Sequence, residues 1–170
     1  MLWAVGCLHA AQQDRAPAAF STTGINASVP DNLQGPGVRR VRPVVVNWSL
    51  FDETMARTFL EKKREKPDFT LATTMNFFPD ADLIVNWTAV ERVQQPSGLI
   101  WTGTVAGTPS GHATMAVSGQ TVTANVTRGD GRIYEIRTSA DGVVWVREID
   151  QTGFPSEGND VSPPPAGVKD

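Results

Sequence analysis

A single cysteine, Cys7, stands in the 170 residues. The chain therefore forms no internal disulfide and no cysteine-based zinc cluster, and its core must hold without covalent staples. Histidine is nearly as scarce. His9 and His112 are the only two, whereas a zinc hydrolase needs two or three imidazoles or equivalent carboxylates converging on one metal. Basic residues do not predominate either: Lys and Arg number 15 against 18 Asp and Glu, for a net charge of -3. Without clustered cations to neutralise phosphates, nucleic acid is not an expected partner. Nothing beyond the first residues approaches the run of about 18 apolar residues that a bilayer crossing requires, so no membrane span is expected.

What is there fits one domain, because a chain of this length buries most of its unfolded surface in a single core. Charged residues make up 19%, low for a cytosolic enzyme and ordinary for a β-rich extracellular domain. Met1 to Ala11 is mostly apolar and ends in the small pair Ala10 and Ala11, ahead of Gln12, Gln13, Asp14 and Arg15. This reads as a signal-peptide remnant lacking its basic leading region, or as a plain tail. Gly6 and Cys7 resemble a lipoprotein processing site, although the Leu usual three residues before the cysteine is Ala4 here. Small and polar residues then dominate as far as Arg40. The chain thus divides into 1–40, a signal remnant and flexible arm; 41–155, a β-rich domain; and 156–170, a tail or linker stiffened by Pro163, Pro164 and Pro165.

Period-two alternation is the main signal in the body of the chain. A first strand is expected after Pro43, with Val44, Val46, Trp48 and Leu50 facing inward. Met55 and Phe59 permit a short helix ended by Pro67. Phe69 to Phe77 reads as a strand closed by Pro79 and Asp80. Leu83, Val85, Trp87 and Ala89 form one face of the next, which places Glu91 inward and Val90 outward. Leu99, Trp101, Gly103 and Val105 follow. Ala113, Met115 and Val117, then Val122, Ala124 and Val126, form the clearest amphipathic hairpin, turning at Ser118 and Gly119. Tyr134 and Ile136 face inward in the next run, and Val143 to Ile149 is the last. Regular short strands of this kind predict an all-β fold, an antiparallel β-sandwich or partly open barrel built of hairpins, with one short helix.

Candidate catalytic groups do not assemble. His112 follows Gly111 on the phase of Thr114 and Ala116 and is expected to face solvent, with no Gly-x-Ser-x-Gly elbow beside it. Glu148 with Asp150, and Asp80 with Asp82, are carboxylate pairs of the type acid/base hydrolysis uses, but such pairs are common and solvated at strand ends. Arg128, Gly129 and Asp130 spell an integrin-binding tripeptide, yet Gly129, Asp130 and Gly131 are what a tight turn needs in any case. Trp48, Trp87 and Trp101 keep step with the aliphatic residues of their strands, which assigns them to the core rather than to a sugar-stacking platform. The phase of Trp145 is ambiguous. Glu91, half-buried on this reading, needs an arginine such as Arg137 as its partner. No catalytic, cofactor-binding or metal-binding residue is assigned.

A longer pattern runs from about Phe69 to Pro155. It comprises Asn76-Phe77-Phe78-Pro79-Asp80, Glu91, Ser97-Gly98, Trp101-Thr102-Gly103, Gly107, Gly131-Arg132-Ile133-Tyr134-Glu135-Ile136-Arg137, Asp141-Gly142-Val143, Glu148-Ile149-Asp150 and Phe154-Pro155. In this order the motifs resemble the N-terminal propeptide-like domain of secreted bacterial zinc metallopeptidases of the reprolysin-like and peptidyl-Asp metalloendopeptidase group, over about half the chain. The resemblance implies a β-rich pro-region ahead of a metzincin catalytic domain. The three-histidine zinc motif of that catalytic domain is absent here, and no cysteine follows Asp150 to plug a downstream zinc. The expectation is a secreted or periplasmic, non-catalytic pro-region without cofactor, whose partner is a cognate metzincin catalytic domain. A stand-alone extracellular binding or structural module is the alternative.

Overall fold

The computed structural model describes residues 16–21, 24, 25 and 27–153. The signal remnant with Cys7 and His9, Phe154-Pro155 and the Pro-rich tail lie outside them. Nine strands follow one another: β1 (Phe20–Ser21), β2 (Val38–Val46), β3 (Leu71–Phe78), β4 (Ala81–Gln94), β5 (Ser97–Val105), β6 (His112–Ser118), β7 (Thr121–Thr127), β8 (Arg132–Thr138) and β9 (Val144–Asp150). One α-helix, α1 (Glu53–Glu65), joins β2 to β3. The Asp52 carboxylate accepts the Met55 N–H to cap its start, and Lys62, Lys63 and Arg64 favour its C-terminal end.

The ladders are antiparallel, in the order β1-β2-β9-β8-β7-β6-β5-β4-β3. From β3 to β9 each strand pairs with its sequence neighbour, so the body is a meander of hairpins. Gly119, with φ of 57°, makes the β6–β7 turn in a left-handed conformation that strains any residue with a Cβ. The sheet curls until its edge strands meet, giving a nearly closed all-β barrel with one helix. Backbone bonds join the edges: Thr74 N–H donates to Pro17 O and Ala19 N–H to Thr74 O, both at 2.8 Å. The Asn76 amide continues this ladder with its side chain, accepting from Phe20 N–H at 3.0 Å and donating to Phe20 O at 2.7 Å.

Inward-facing residues fill the barrel. Trp87, Trp101, Val122, Val126, Tyr134 and Ile136, all expected in the core, are at most 1% exposed. Phe51 and Phe59 pack edge-on against Trp101, and Phe51 does the same against Trp87, so the segment carrying α1 supplies part of the aromatic interior. Trp87 Nε1 donates to Thr73 Oγ1 at 2.9 Å, which satisfies the polar end of a fully buried indole. The Tyr134 hydroxyl is buried without a hydrogen-bond partner among the described residues.

Three expectations change, and the open phase of Trp145 is resolved. The first strand begins at Val38 rather than after Pro43 and stops at Val46; Trp48 and Leu50 lie in a 3-10 turn, with Trp48 only half-buried. Part of the segment read as a loose arm packs: Ala19, Phe20 and Leu33 are buried, and Phe20 contacts the Phe77 ring at 5.9 Å. Trp145 is buried but lies outside the central cluster, its Nε1 donating to Ser139 Oγ at 3.2 Å. In β4, a bulge between Trp87 and Ala89 pairs Trp87 with Gly103 and Ala89 with Thr102. That one extra residue turns Val90 inward and leaves Glu91 exposed. Gly103 allows the close approach, since a Cβ there would stand 2.6 Å from Asn86 O.

Phe20→Ala tests whether β1 belongs to the core. It is expected to lower the unfolding free energy by about 3 kcal/mol in urea titration. A loss below about 0.5 kcal/mol, the ordinary range for a surface change, would show that the segment contributes nothing to the barrel.

Candidate functional site

β1 covers only part of the seam between β2 and β3. Beyond it, the gap is bridged by side chains of β2. Arg40, Arg42, Val44 and Val46 share the inward face of this strand, where the apolar alternation continues as arginine. Arg42 donates from Nε to Phe77 O and from Nη2 to Asn76 O, so its guanidinium binds carbonyls that no strand reaches. Burial lowers its pKa from the ordinary arginine value, while the charge of Asp82 acts in the opposite sense.

Arg40 extends this bridge as an ion ladder. Its Nη1 donates to Asp80 Oδ1 and its Nε to Glu148 Oε2, each at 2.6 Å, and its guanidinium carbon lies 4.1 Å from the Phe78 ring centroid. The hydrogen bond to Asp80, followed by that to Glu148, raises the Arg40 pKa against the opposing effect of burial. Glu148 is 2% exposed, and Arg132 Nη1 stands 3.9 Å from its other oxygen. Asp150 binds Arg39 and accepts from the Thr152 hydroxyl and N–H. Behind the ladder Phe77 stacks on Tyr134, with centroids 4.4 Å apart and planes 3° from parallel. A groove of about 540 Å³ opens beside it, lined by Pro17, Arg42, Thr74, Asn76, Phe78 and Asp82 among others.

The carboxylate pairs are thus drawn into one end of the barrel, but each is engaged. Glu148 and Asp150 are bound to different arginines, and Asp80 is bound to Arg40. His112 faces solvent, and its Nδ1 lies 2.7 Å from Thr127 Oγ1. Arg128 pairs with Asp130 at 3.5 Å, while Asp130 also accepts the Arg132 N–H, so the tripeptide folds onto its own turn. Glu91 lies on the outside and Arg137 pairs with Glu135, so the two do not meet. Among the described residues no three His, Cys, Asp or Glu side chains group to hold a metal. Arg40 and Arg42 were the residues that sequence reading passed over; their signal was the period of two continuing upstream through Pro43. Comparison with family models, with curated proteins and with solved structures returns no match.

The Arg40 ladder yields a stability prediction. Arg40→Ala leaves Glu148 buried with only the distant Arg132. It is expected to cost about 2–3 kcal/mol by urea denaturation, below the full value for a broken buried pair because Arg40 is partly exposed. Adding Glu148→Gln should recover part of that loss; equal losses in the single and double variants would mean that the ion pair is uncoupled from the fold.

Acid sensitivity follows from three carboxyls. The Arg40 hydrogen bond holds Asp80 below the ordinary carboxylate value, the Ser139 hydroxyl does so for Asp141, and Thr152 with Arg39 does so for Asp150. A depressed folded-state pKa gives stability that is present above the unfolded value of about 3.9 and is lost as pH falls through the folded value. The combined variant Asp80→Asn, Asp141→Asn, Asp150→Asn should be less stable at neutral pH and lose less on acidification below about pH 4. An acid limb identical to that of the native chain would refute this origin.

Proposed function

We propose that this chain is the non-catalytic pro-region of a secreted zinc metallopeptidase of the reprolysin-like and peptidyl-Asp metalloendopeptidase group, assisting the folding of its protease and keeping it latent by covering the substrate cleft. What supports this reading is where the residues of the resemblance fall. Asn76 continues the seam ladder, Phe77 stacks on Tyr134, Phe78 lies under Arg40, Asp80 and Glu148 flank that arginine, and Asp150 binds Arg39. Motifs chosen for their order in the sequence therefore cooperate in closing one barrel. With the interior filled by aromatic rings, recognition on this reading is the work of the outer surface.

Titration calorimetry of the folded chain against its cognate metzincin catalytic domain tests the proposal. Expected is a one-to-one complex of micromolar or tighter affinity, burying roughly 1,200–2,000 Å² in total, together with loss of peptidase activity. The chain alone is expected to cleave no peptide. No binding at about 100 µM, a concentration that still detects weak association, with both partners folded, would sink the pro-region reading. It would favour the second one, an extracellular binding module, for which the observation is the open groove beside Arg42 and Asn76.

A further inference from the structure

Trp48 stands apart from the other tryptophans of the described residues. Trp87, Trp101 and Trp145 are buried and donate their indole N–H groups to Thr73 Oγ1, Phe51 O and Ser139 Oγ. Trp48 is half-buried in the 3-10 turn after β2, one side packed against the core, and its N–H meets no acceptor among the described residues. It borders a groove of about 490 Å³ at the barrel end opposite the Arg40 ladder. That size falls within the range of small-ligand sites. The end of β2 contributes Val44, Val45 and Val46 to the lining, the β6–β7 turn contributes Gln120, and the β8–β9 turn contributes Asp141. Val44 and Val46 are buried, while Val45 is 39% exposed and adds apolar surface that water can reach.

Polar groups around this groove retain unused bonding capacity. Asp141 Oδ1 accepts from the Ser139 hydroxyl and from Val143 N–H, which fixes the turn together with Gly142 at φ of 83°. The other Asp141 oxygen takes no hydrogen bond from another described residue, and the Gln120 amide makes none. Asp141 is the sole ionisable side chain among the lining residues, with no Lys or Arg beside it. An anion would be repelled there, and one exposed carboxylate holds a cation only weakly. The chemistry that fits is a neutral ligand with an apolar face and several hydroxyls.

We propose that this groove binds a saccharide, with the Trp48 indole as stacking platform and the Trp48 N–H, the Gln120 amide and the Asp141 carboxylate as partners for ring hydroxyls. A pyranose presents C–H bonds on one face, whose partial positive charge meets the negative face of an indole, while its hydroxyls lie around the edge. The groove supplies both kinds of contact. Strand phase in the sequence assigns Trp48 to the core; the end of β2 at Val46 is what brings it to the groove. The site shares no lining residue with the groove beside Arg42, and it stands whether or not the chain serves as a pro-region.

Titrating the isotope-labelled full chain with cellobiose, maltose and chitobiose, each to about 50 mM, tests this by NMR of the indole N–H groups, a range that reaches weak binding. The Trp48 signal, identified by its disappearance in Trp48→Phe, is expected to shift and saturate with at least one sugar, at a dissociation constant of about 1 mM. The Trp87 and Trp101 signals should stay in place. Asp141→Asn keeps an acceptor for the turn but replaces the second oxygen with a donor, and is expected to weaken binding about tenfold, the worth of one good hydrogen bond. Trp48→Ala should abolish it. Should Trp48→Ala fold poorly, Gln120→Ala on its exposed turn carries the same expectation as Asp141→Asn. The proposal is overturned if no sugar gives a saturable shift, if Asp141→Asn and Gln120→Ala both bind as the native chain does, or if sorbitol, which has the hydroxyls without a ring face, shifts Trp48 equally.

Discussion

Closing the sheet between β2 and β3 is the constraint from which most of this structure follows. β2 and β3 are separated in sequence by α1 and in the sheet by the six strands from β9 to β4, so their edges meet only if the curl of the meander brings them round. When they meet, the ladder is incomplete. A two-residue strand from the N-terminal segment supplies part of it, the Asn76 amide imitates a peptide unit for Phe20, and Arg42 binds two carbonyls further along. Unsatisfied backbone groups at a buried seam cost enough that such substitutes are needed. Side chains reach across a gap where strands do not.

The interior depends on that closure. Phe20 enters through the seam to touch Phe77, Phe77 stacks on Tyr134, and on the α1 side Phe51 and Phe59 meet Trp87 and Trp101. Aromatic rings of this size pack much of the interior of a small barrel. One group of charged residues gathers at the seam end, where Arg40 reaches the buried Glu148 and is itself held between Phe78 and Asp80. The ion ladder is thus a consequence of the seam. It takes the carboxylates that a sequence reading weighs as acid/base candidates and commits them to arginines.

The same division shapes the surface. Strands β5, β6 and β7 in the middle of the meander carry threonine and other uncharged residues outward, while α1, β2, β8 and β9 carry many of the charges.

Alternation alone determined the class of fold, the strands from β3 to β9 and most of the buried core from Trp87 to Ile136, because local periodicity records which side of a strand meets water, while the spacing of Met55 and Phe59 permitted the helix. The motif order from Asn76 to Asp150 was legible in the same way, though not its purpose. Tertiary structure decided the rest. A bulge at Thr88 reversed Val90 and Glu91, which no local pattern announces, since its cause is the close approach of Gly103 on the neighbouring strand. Phe20 and the run from Val38 to Arg40 were read as arm because a two-residue strand has no periodicity and because an arginine on an inward face looks like surface. Their role exists only when β3 arrives beside them, and that contact joins residues more than thirty positions apart in the chain.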